Sequence, residues 1–226
     1  MKQVTKNTIM FGMIIWLTIV NIAAATETEN EGWAGGFFLG TGTPNSIDAM
    51  DRLSKDLDIS DRDGNISIGG LGFYQGRNYR LGGLVQSQVW AGWNAGDNDA
   101  DNDSVGLAAT SGGFYGAYTF SKEKFLLNIG GVVGGGRVSL GYDLGDDRSD
   151  IHRHESVSAL YLEPQISIGY AATNWLGIEG VIAAPMYFFN DDLTLTYNNQ
   201  DYTVRGKDLY GVTCSIRFVF GNIAAL

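Results

Sequence analysis

His152, His154, Glu155 and Ser156 form the one short stretch of this chain that holds a nucleophile, a base and an acid together. A serine attacks an acyl carbon only when a base takes its proton and a third group orients that base, all within hydrogen-bond reach. In an extended strand, side chains two positions apart lie on one face, so His154 and Ser156 fall on the same side. The chemistry such a set implies is ester or amide hydrolysis. The plainer reading of two histidines beside acidic residues is a solvated surface or an adventitious metal contact.

Two other clusters carry possible ligands. Asp97, Asp99, Asp101 and Asp103 recur at every second position, and a loop that curls there brings four carboxylates around a hard cation such as Ca²⁺. Asp61-Arg62-Asp63-Gly64-Asn65-Ile66 resembles the middle of an EF-hand calcium loop, but Ile59 and Gly70 stand at its first and twelfth ligand positions. Both segments also read as highly charged loop tips. No bound cofactor is otherwise expected.

Glu163 and Glu179 are the third candidate pair. Placed on adjacent strands joined by a turn at 172–174, Glu163 falls opposite Ala183 and Glu179 opposite Ser167. At ~3.3 Å per residue the two carboxylates stand on the order of 13 Å apart, too far to share one scissile bond. Inward charges need counter-charges, and Arg80, Arg137 and Arg217 are the cations expected to complete a polar network with them.

The elements that must hold these residues are strands. Period-two alternation gives eight, at 32–43, 66–75, 79–94, 105–120, 125–142, 157–171, 175–189 and 209–220. In the third, Leu81, Val85, Val89 and Trp93 alternate with Arg80, Gln86 and Gln88. Gly113, Gly130-Gly131 and Gly134-Gly135-Gly136 leave the faces of the fourth and fifth open, because a bulge there would flip them. Connections at 76–78, 121–124 and 172–174 are short, whereas those at 44–64, 95–104, 143–156 and 190–208 are long. Short and long alternate strictly, as in a barrel with brief hairpins on one side of a membrane and long loops on the other. Phe73, Tyr74, Tyr79, Tyr118, Phe120, Phe125, Tyr170 and Trp175 bracket the short turns, with Phe218 and Phe220 at the same level, in the pattern of an interfacial girdle. Within the first long loop, Ile47, Met50, Leu53 and Leu57 recur at helical spacing behind Asn45 or Ser46 as N-cap. That short helix is expected to cap the barrel mouth.

The chain thus resembles small Gram-negative-type outer-membrane β-barrels over nearly its whole length after residue 25. The last strand, Thr213-Cys214-Ser215-Ile216-Arg217-Phe218-Val219-Phe220, looks like the C-terminal signal read by the barrel-insertion machinery, with Ser215 in place of the usual glycine and six residues following Phe220. The Gly-rich strands, Leu162-Glu163-Pro164 and Trp175-Leu176-Gly177 are similar to a group of uncharacterised barrels. The resemblance implies an all-β, eight-stranded antiparallel up-and-down transmembrane barrel, with outer-membrane lipid and the insertion machinery as partners. Outer-membrane lipid A deacylases use residue types like those of the His154 cluster, though their motif does not map onto it residue by residue.

Composition fits this reading. Lys2 and Lys6 precede an apolar run from Ile9 to Val20 and then Ala23-Ala24-Ala25, the layout of a cleaved signal peptide over 1–25. One domain over 26–226 remains. The 32 glycines, 3 prolines and 12% aromatics suit long strands with closely spaced backbones. Cys214 is alone, so no internal disulfide forms. The net charge of −10 becomes −12 when the two lysines leave, which argues against nucleic acid as a partner. Eight strands enclose only enough space for side chains, so the lumen is expected to be plugged rather than porous. The function that follows is a non-enzymatic outer-membrane barrel presenting acidic loops for a structural, adhesive or partner-binding role with an unspecified surface partner. A lipid-modifying enzyme and a soluble exported barrel that binds a small apolar ligand are the alternatives.

Overall fold

The computed structural model describes residues 31–44, 48–57, 59, 65–93, 104–143 and 152–223. Residues 1–25, where a signal peptide is expected, lie outside that set. So do Asp61, Asp63, Asp97, Asp99, Asp101 and Asp103.

Among the described residues there are eleven strands: β1 (Gly32–Pro44), β2 (Asn65–Gln75), β3 (Tyr79–Trp93), β4 (Ser104–Lys122), β5 (Phe125–Asp143), β6 (His152–Ala171), β7 (Leu176–Ala183), β8 (Met186–Phe189), β9 (Leu193–Tyr197), β10 (Gln200–Val204) and β11 (Gly211–Gly221). Helix α1 spans Asp48–Asp56, and a 3₁₀ turn spans Gly206–Leu209. Neighbouring strands from β1 to β6 pair antiparallel in sequence order, β6 pairs with both β7 and β8, β7 pairs with β11, and β11 pairs with β1. The result is a closed barrel with eight walls, the seventh made of two segments.

That split has a local cause. β7 stops at Ala183 and β8 begins at Met186, with Ala184 and Pro185 between them. Proline has no N–H to give to the ladder. The register nevertheless carries through: Gln165↔Ala183 below the break and Leu162↔Met186 above it belong to one alignment, and the Ala184 N–H donates to the Pro164 carbonyl at 2.9 Å. The turn before β7 is one residue longer than the sequence suggested. Thr173 Oγ1 accepts from the Trp175 and Leu176 N–H groups at 3.3 and 3.0 Å, and Ala171 pairs with Gly177. This moves Glu179 opposite Gly169 and Ser167 opposite Val181, two positions from the expected pairing.

The walls are unequal. β4, β5 and β6 have 19, 19 and 20 residues, whereas β2 and β11 have 11 each. A membrane crossing uses about 9–11 tilted residues. The β4–β6 side is thus roughly 60 Å long at ~3.3 Å per residue, which at a tilt near 40° is a rise of about 46 Å, beyond the ~30 Å hydrocarbon core of a bilayer. β6 begins at His152 rather than near 157, so the third long loop is shorter than expected and the His154 cluster lies in the sheet. The glycines of β4 and β5 introduce no bulge. Nineteen consecutive pairs run from Ser104↔Asp143 to Lys122↔Phe125, which keeps odd residues of β4 and even residues of β5 inward.

The last long connection folds into structure of its own. β9 and β10 form a hairpin turned by Asn198 and Asn199, both in the left-handed region at φ 48° and 61°, which asparagine tolerates better than most residues. Leu193, Leu195, Tyr202 and Val204 on its inner face pack with Ala49, Met50 and Leu53 of α1 and with Leu107 and Leu140 from the tall wall. Helix and hairpin together form an apolar lid over the long-loop end of the barrel. Met50, Leu53 and Leu57 are buried as the helical spacing implied, and Asp48 and Asp51 in the first turn with Lys55 in the last suit the helix dipole. Asn45, Ser46 and Ile47 lie outside the described residues.

Candidate functional site

Three regions hold the chemistry-bearing residues: the lumen, the lid and the outward face of the tall wall.

The lower lumen is a packed polar core. Arg80 on β3 and Glu179 on β7 point inward from opposite walls, and Arg80 Nη1 donates to Glu179 Oε1 at 2.5 Å. Arg80 Nε donates to Gln75 Oε1 at 2.7 Å. Arg217 on β11 donates through Nη1 to Glu179 Oε2 at 3.4 Å and through Nη2 to Gln165 Oε1 at 2.9 Å. One carboxylate thus bridges two guanidinium groups, and all three residues are 0–2% exposed. Aromatic faces complete the shell: Arg80 lies 4.6 Å from the Phe73 ring centroid, and Arg217 lies 5.7 and 5.8 Å from those of Phe38 and Tyr115. A chain of Thr119, Asn128 and Ser167, linked at 2.9 and 2.8 Å, ends on Glu179 Oε2 at 3.4 Å.

Glu163 belongs to the layer above. It accepts from Gln86 Nε2 at 2.8 Å and from the Tyr161 hydroxyl, and no arginine reaches it as an ion-pair partner among the described residues. Glu179, Arg80 and Arg217 are thus bonded to one another, and Glu163 is held apart from them by neutral groups. Arg137 does not belong. As an odd residue of β5 it faces outward and is exposed. The glycine run had hidden that parity.

Two glycines make room inside this core. A Cβ at Gly169 would sit 2.9 Å from Glu179 Cγ, and one at Gly69 would sit 2.3 Å from the Phe38 ring. Gly169 is the residue directly across from Glu179, so its missing side chain is the space the carboxylate arm uses.

In the lid, the Tyr202 hydroxyl donates to Asp56 Oδ2 at the end of α1, and Arg52 lies 5.9 Å from the Tyr202 ring centroid. Burial, then the bond to Asp56, pushes this hydroxyl up to about 12. Tyr142 and Tyr197 pack edge to face with centroids 5.2 Å apart, joining hairpin to wall.

On the outward face, His154 and Ser156 do share one side of β6, as strand geometry requires. Ser156 Oγ, however, accepts from Arg137 Nε at 2.9 Å and Nη2 at 2.6 Å. A cation occupies the place a general base would need. Among the described residues, no hydrogen bond joins His154, Glu155 and Ser156, and no group of three histidine, cysteine, aspartate or glutamate side chains converges as a metal site. The His152 side chain and both aspartate-rich segments lie outside the described residues.

The exterior below these residues is apolar. Leu81, Val85, Val89, Phe114, Ile129, Val133, Ile166, Ile168, Ile182 and Ile216 all point out and are 43–65% exposed. At the short-turn end Trp33, Tyr79, Tyr118, Phe120, Phe125, Tyr170 and Trp175 ring the barrel, with Trp33 against Tyr74 at 5.7 Å, Phe125 against Tyr170 at 5.4 Å and Trp175 against Phe220 at 6.4 Å. Phe73 is the exception among the expected girdle residues: it faces inward beneath Arg80. No helix among the described residues is long and apolar enough to cross a membrane.

No protein-family model matches the sequence, and no curated protein matches it. Among solved structures, the chain is similar to Neisserial surface protein A at 11% identity and TM-score 0.47, covering 86% of this chain and 100% of that one. It is similar to the attachment invasion locus protein Ail of Yersinia pestis, in complex with the heparin analogue sucrose octasulfate, at 8% identity and TM-score 0.47, over 85% and 100% of the two chains. The outer membrane protease OmpT from Escherichia coli aligns at 11% identity and TM-score 0.39, over 84% and 92%.

Proposed function

We propose that this chain is an outer-membrane barrel without catalytic activity, which seals its own lumen and presents acidic loops and a folded lid to the outside for adhesion, partner contact or a structural role. The observation that carries this reading is the inversion of polarity: large apolar side chains cover the outer wall while Arg80, Arg217, Glu163 and Glu179 are buried at the axis. An apolar band of that extent is stable against hydrocarbon and unstable against water. The packed lumen disfavours a pore, and the Arg137 guanidinium on Ser156 disfavours a hydrolase. Calcium in the aspartate-rich loops remains part of the proposal, as a means of stiffening a partner-binding surface.

The test combines three readouts on the full chain. Unheated samples in detergent should run as a compact species and heated ones at full apparent size, and the protein should sediment with the outer-membrane fraction. Lipid A from cells making the protein should match that from cells lacking it. Recovery in a detergent-free soluble fraction would overturn the membrane assignment. Lipid A hydrolysis that vanishes with His154→Ala or Ser156→Ala would establish the enzyme instead.

A further inference from the structure

We propose that the outward face of β4 and β5 holds one phosphate-bearing membrane lipid, with Arg137 on its phosphate. This rests on the reading of the barrel as membrane-embedded. Arg137 stands twelve residues above Phe125 in the aromatic ring. At ~3.3 Å per residue and a tilt near 40°, that is a height of roughly 30 Å, which sets the guanidinium at the opposite interface, level with lipid headgroups. It is exposed, it has no ion-pair partner among the described residues, and Ser156 Oγ fixes its orientation through Nε and Nη2 at 2.9 and 2.6 Å. A guanidinium held by one edge leaves Nη1 and its remaining N–H groups for an anion, and bidentate phosphate contact is the geometry it favours.

The surface is shaped on both sides of that charge. Directly below, Gly112 and Gly135 pair with each other and face outward, between the exposed Val85 and Leu160 in the same row and above the exposed pair Phe114 and Val133, leaving a notch one row deep against which the first carbons of an acyl chain can lie. Directly above, Ala108, Ser139, Gly141 and His154 line a depression of about 320 Å³. Small side chains thus form the floor at chain and headgroup levels, with the cation between them. That order matches an anionic lipid standing in the leaflet: hydrocarbon along the glycines, phosphate at Arg137, and a hydroxyl-bearing headgroup against Ser139 and His154. A free phosphate ion would use only the middle of the three.

Native mass spectrometry of the full chain released from detergent, titrated with phosphatidylglycerol, tests this. Wild type should retain one phosphatidylglycerol and bind diacylglycerol of the same chain length, which lacks the phosphate, roughly tenfold more weakly, the ratio that one charge-assisted contact gives. Arg137→Gln should remove that preference and Arg137→Lys should restore most of it. Gly135→Val places its Cβ no closer than 3.8 Å to its surroundings, so the fold tolerates it. It should weaken phosphatidylglycerol by filling the notch. Equal retention of both lipids by wild type, an Arg137→Gln variant that still prefers phosphatidylglycerol, or adduction of inorganic phosphate without lipid would each overturn the proposal. Heat-dependent gel migration on the same samples reports barrel closure separately, so a failed membrane reading is distinguished from a failed lipid site.

Discussion

Arg80 and Glu179 are 99 positions apart in the chain and 2.5 Å apart in the lumen, where Glu179 also takes Arg217. Removing Glu179 leaves two buried guanidinium groups without an anion. Breaking a buried pair in this way costs about 3–5 kcal/mol, far more than the pair itself contributes relative to apolar replacements. Glu179→Ala should therefore lower the unfolding free energy of the barrel in detergent, measured in urea, by that amount, and the triple change Arg80→Met, Glu179→Leu, Arg217→Met should recover most of it. A Glu179→Ala barrel as stable as wild type would show the triad to be energetically idle.

Gly169→Ala tests the same site from across the strand pair. Its new methyl would contact Glu179 Cγ at 2.9 Å, and overpacking of this kind costs about 1–3 kcal/mol. Gly135→Ala, facing open space, is the matched control and should change stability by less than about 0.5 kcal/mol. Equal effects of the two in urea unfolding would argue against the steric assignment.

Leu53 is fully buried under the lid. Leu53→Ala should cost about 2–5 kcal/mol, but the loss falls on the lid, because its contacts are with the hairpin and the upper wall rather than with the lower lumen. Trypsin should then cut at Arg52 or Lys55 many times faster while the gel shift of the closed barrel persists. Coupled loss of both would mean that lid and cylinder fold as one unit.

The Tyr202 hydroxyl gives the lid an alkaline limit. A phenol held at about 12 in the folded lid, against its ordinary 10, stabilises the fold fully below pH 10. That contribution is lost as pH rises through 12. Protease protection of α1 should fall over this interval in wild type, and Tyr202→Phe should lose the part of the fall that Tyr202 supplies. Identical profiles for the two proteins would assign the transition to other groups.

Cys214 faces outward among apolar neighbours, six residues from Phe220 in the aromatic ring. In a barrel that spans a bilayer, that depth is on the order of 15 Å into the hydrocarbon. A water-soluble maleimide should leave it unlabelled in vesicles and label it after denaturation in hot detergent. Rapid labelling in vesicles would place this strand outside the bilayer.

Much of the cylinder is legible in the chain because alternation reports which medium each side chain meets. The switch between Leu81, Val85 and Val89 on one side and Arg80, Gln86 and Gln88 on the other is reproduced in the walls. Where side chains are missing the signal fails: nothing in Gly134-Gly135-Gly136 states a parity, so the sequence does not show that Arg137 faces outward. The shift of Glu179 came from the Thr173 hydroxyl, which lengthens its turn by one residue. The β9–β10 hairpin carries a local signal that the long loop expected at 190–208 does not use. Leu193, Leu195 and Tyr197 alternate with threonines ahead of Asn198-Asn199, a type I′ turn pair. Spacing makes Ser156 a candidate nucleophile because it shows which residues share a face and is silent about Arg137 arriving from the neighbouring strand.

The seam between β1 and β11 joins residues such as Gly36 and Val219, from opposite ends of the polypeptide. Until the segment Gly211–Gly221 is made, the growing sheet carries two bare rims of backbone donors and acceptors. The seam cannot close before that segment exists, and until then both rims are open to pairing with other chains.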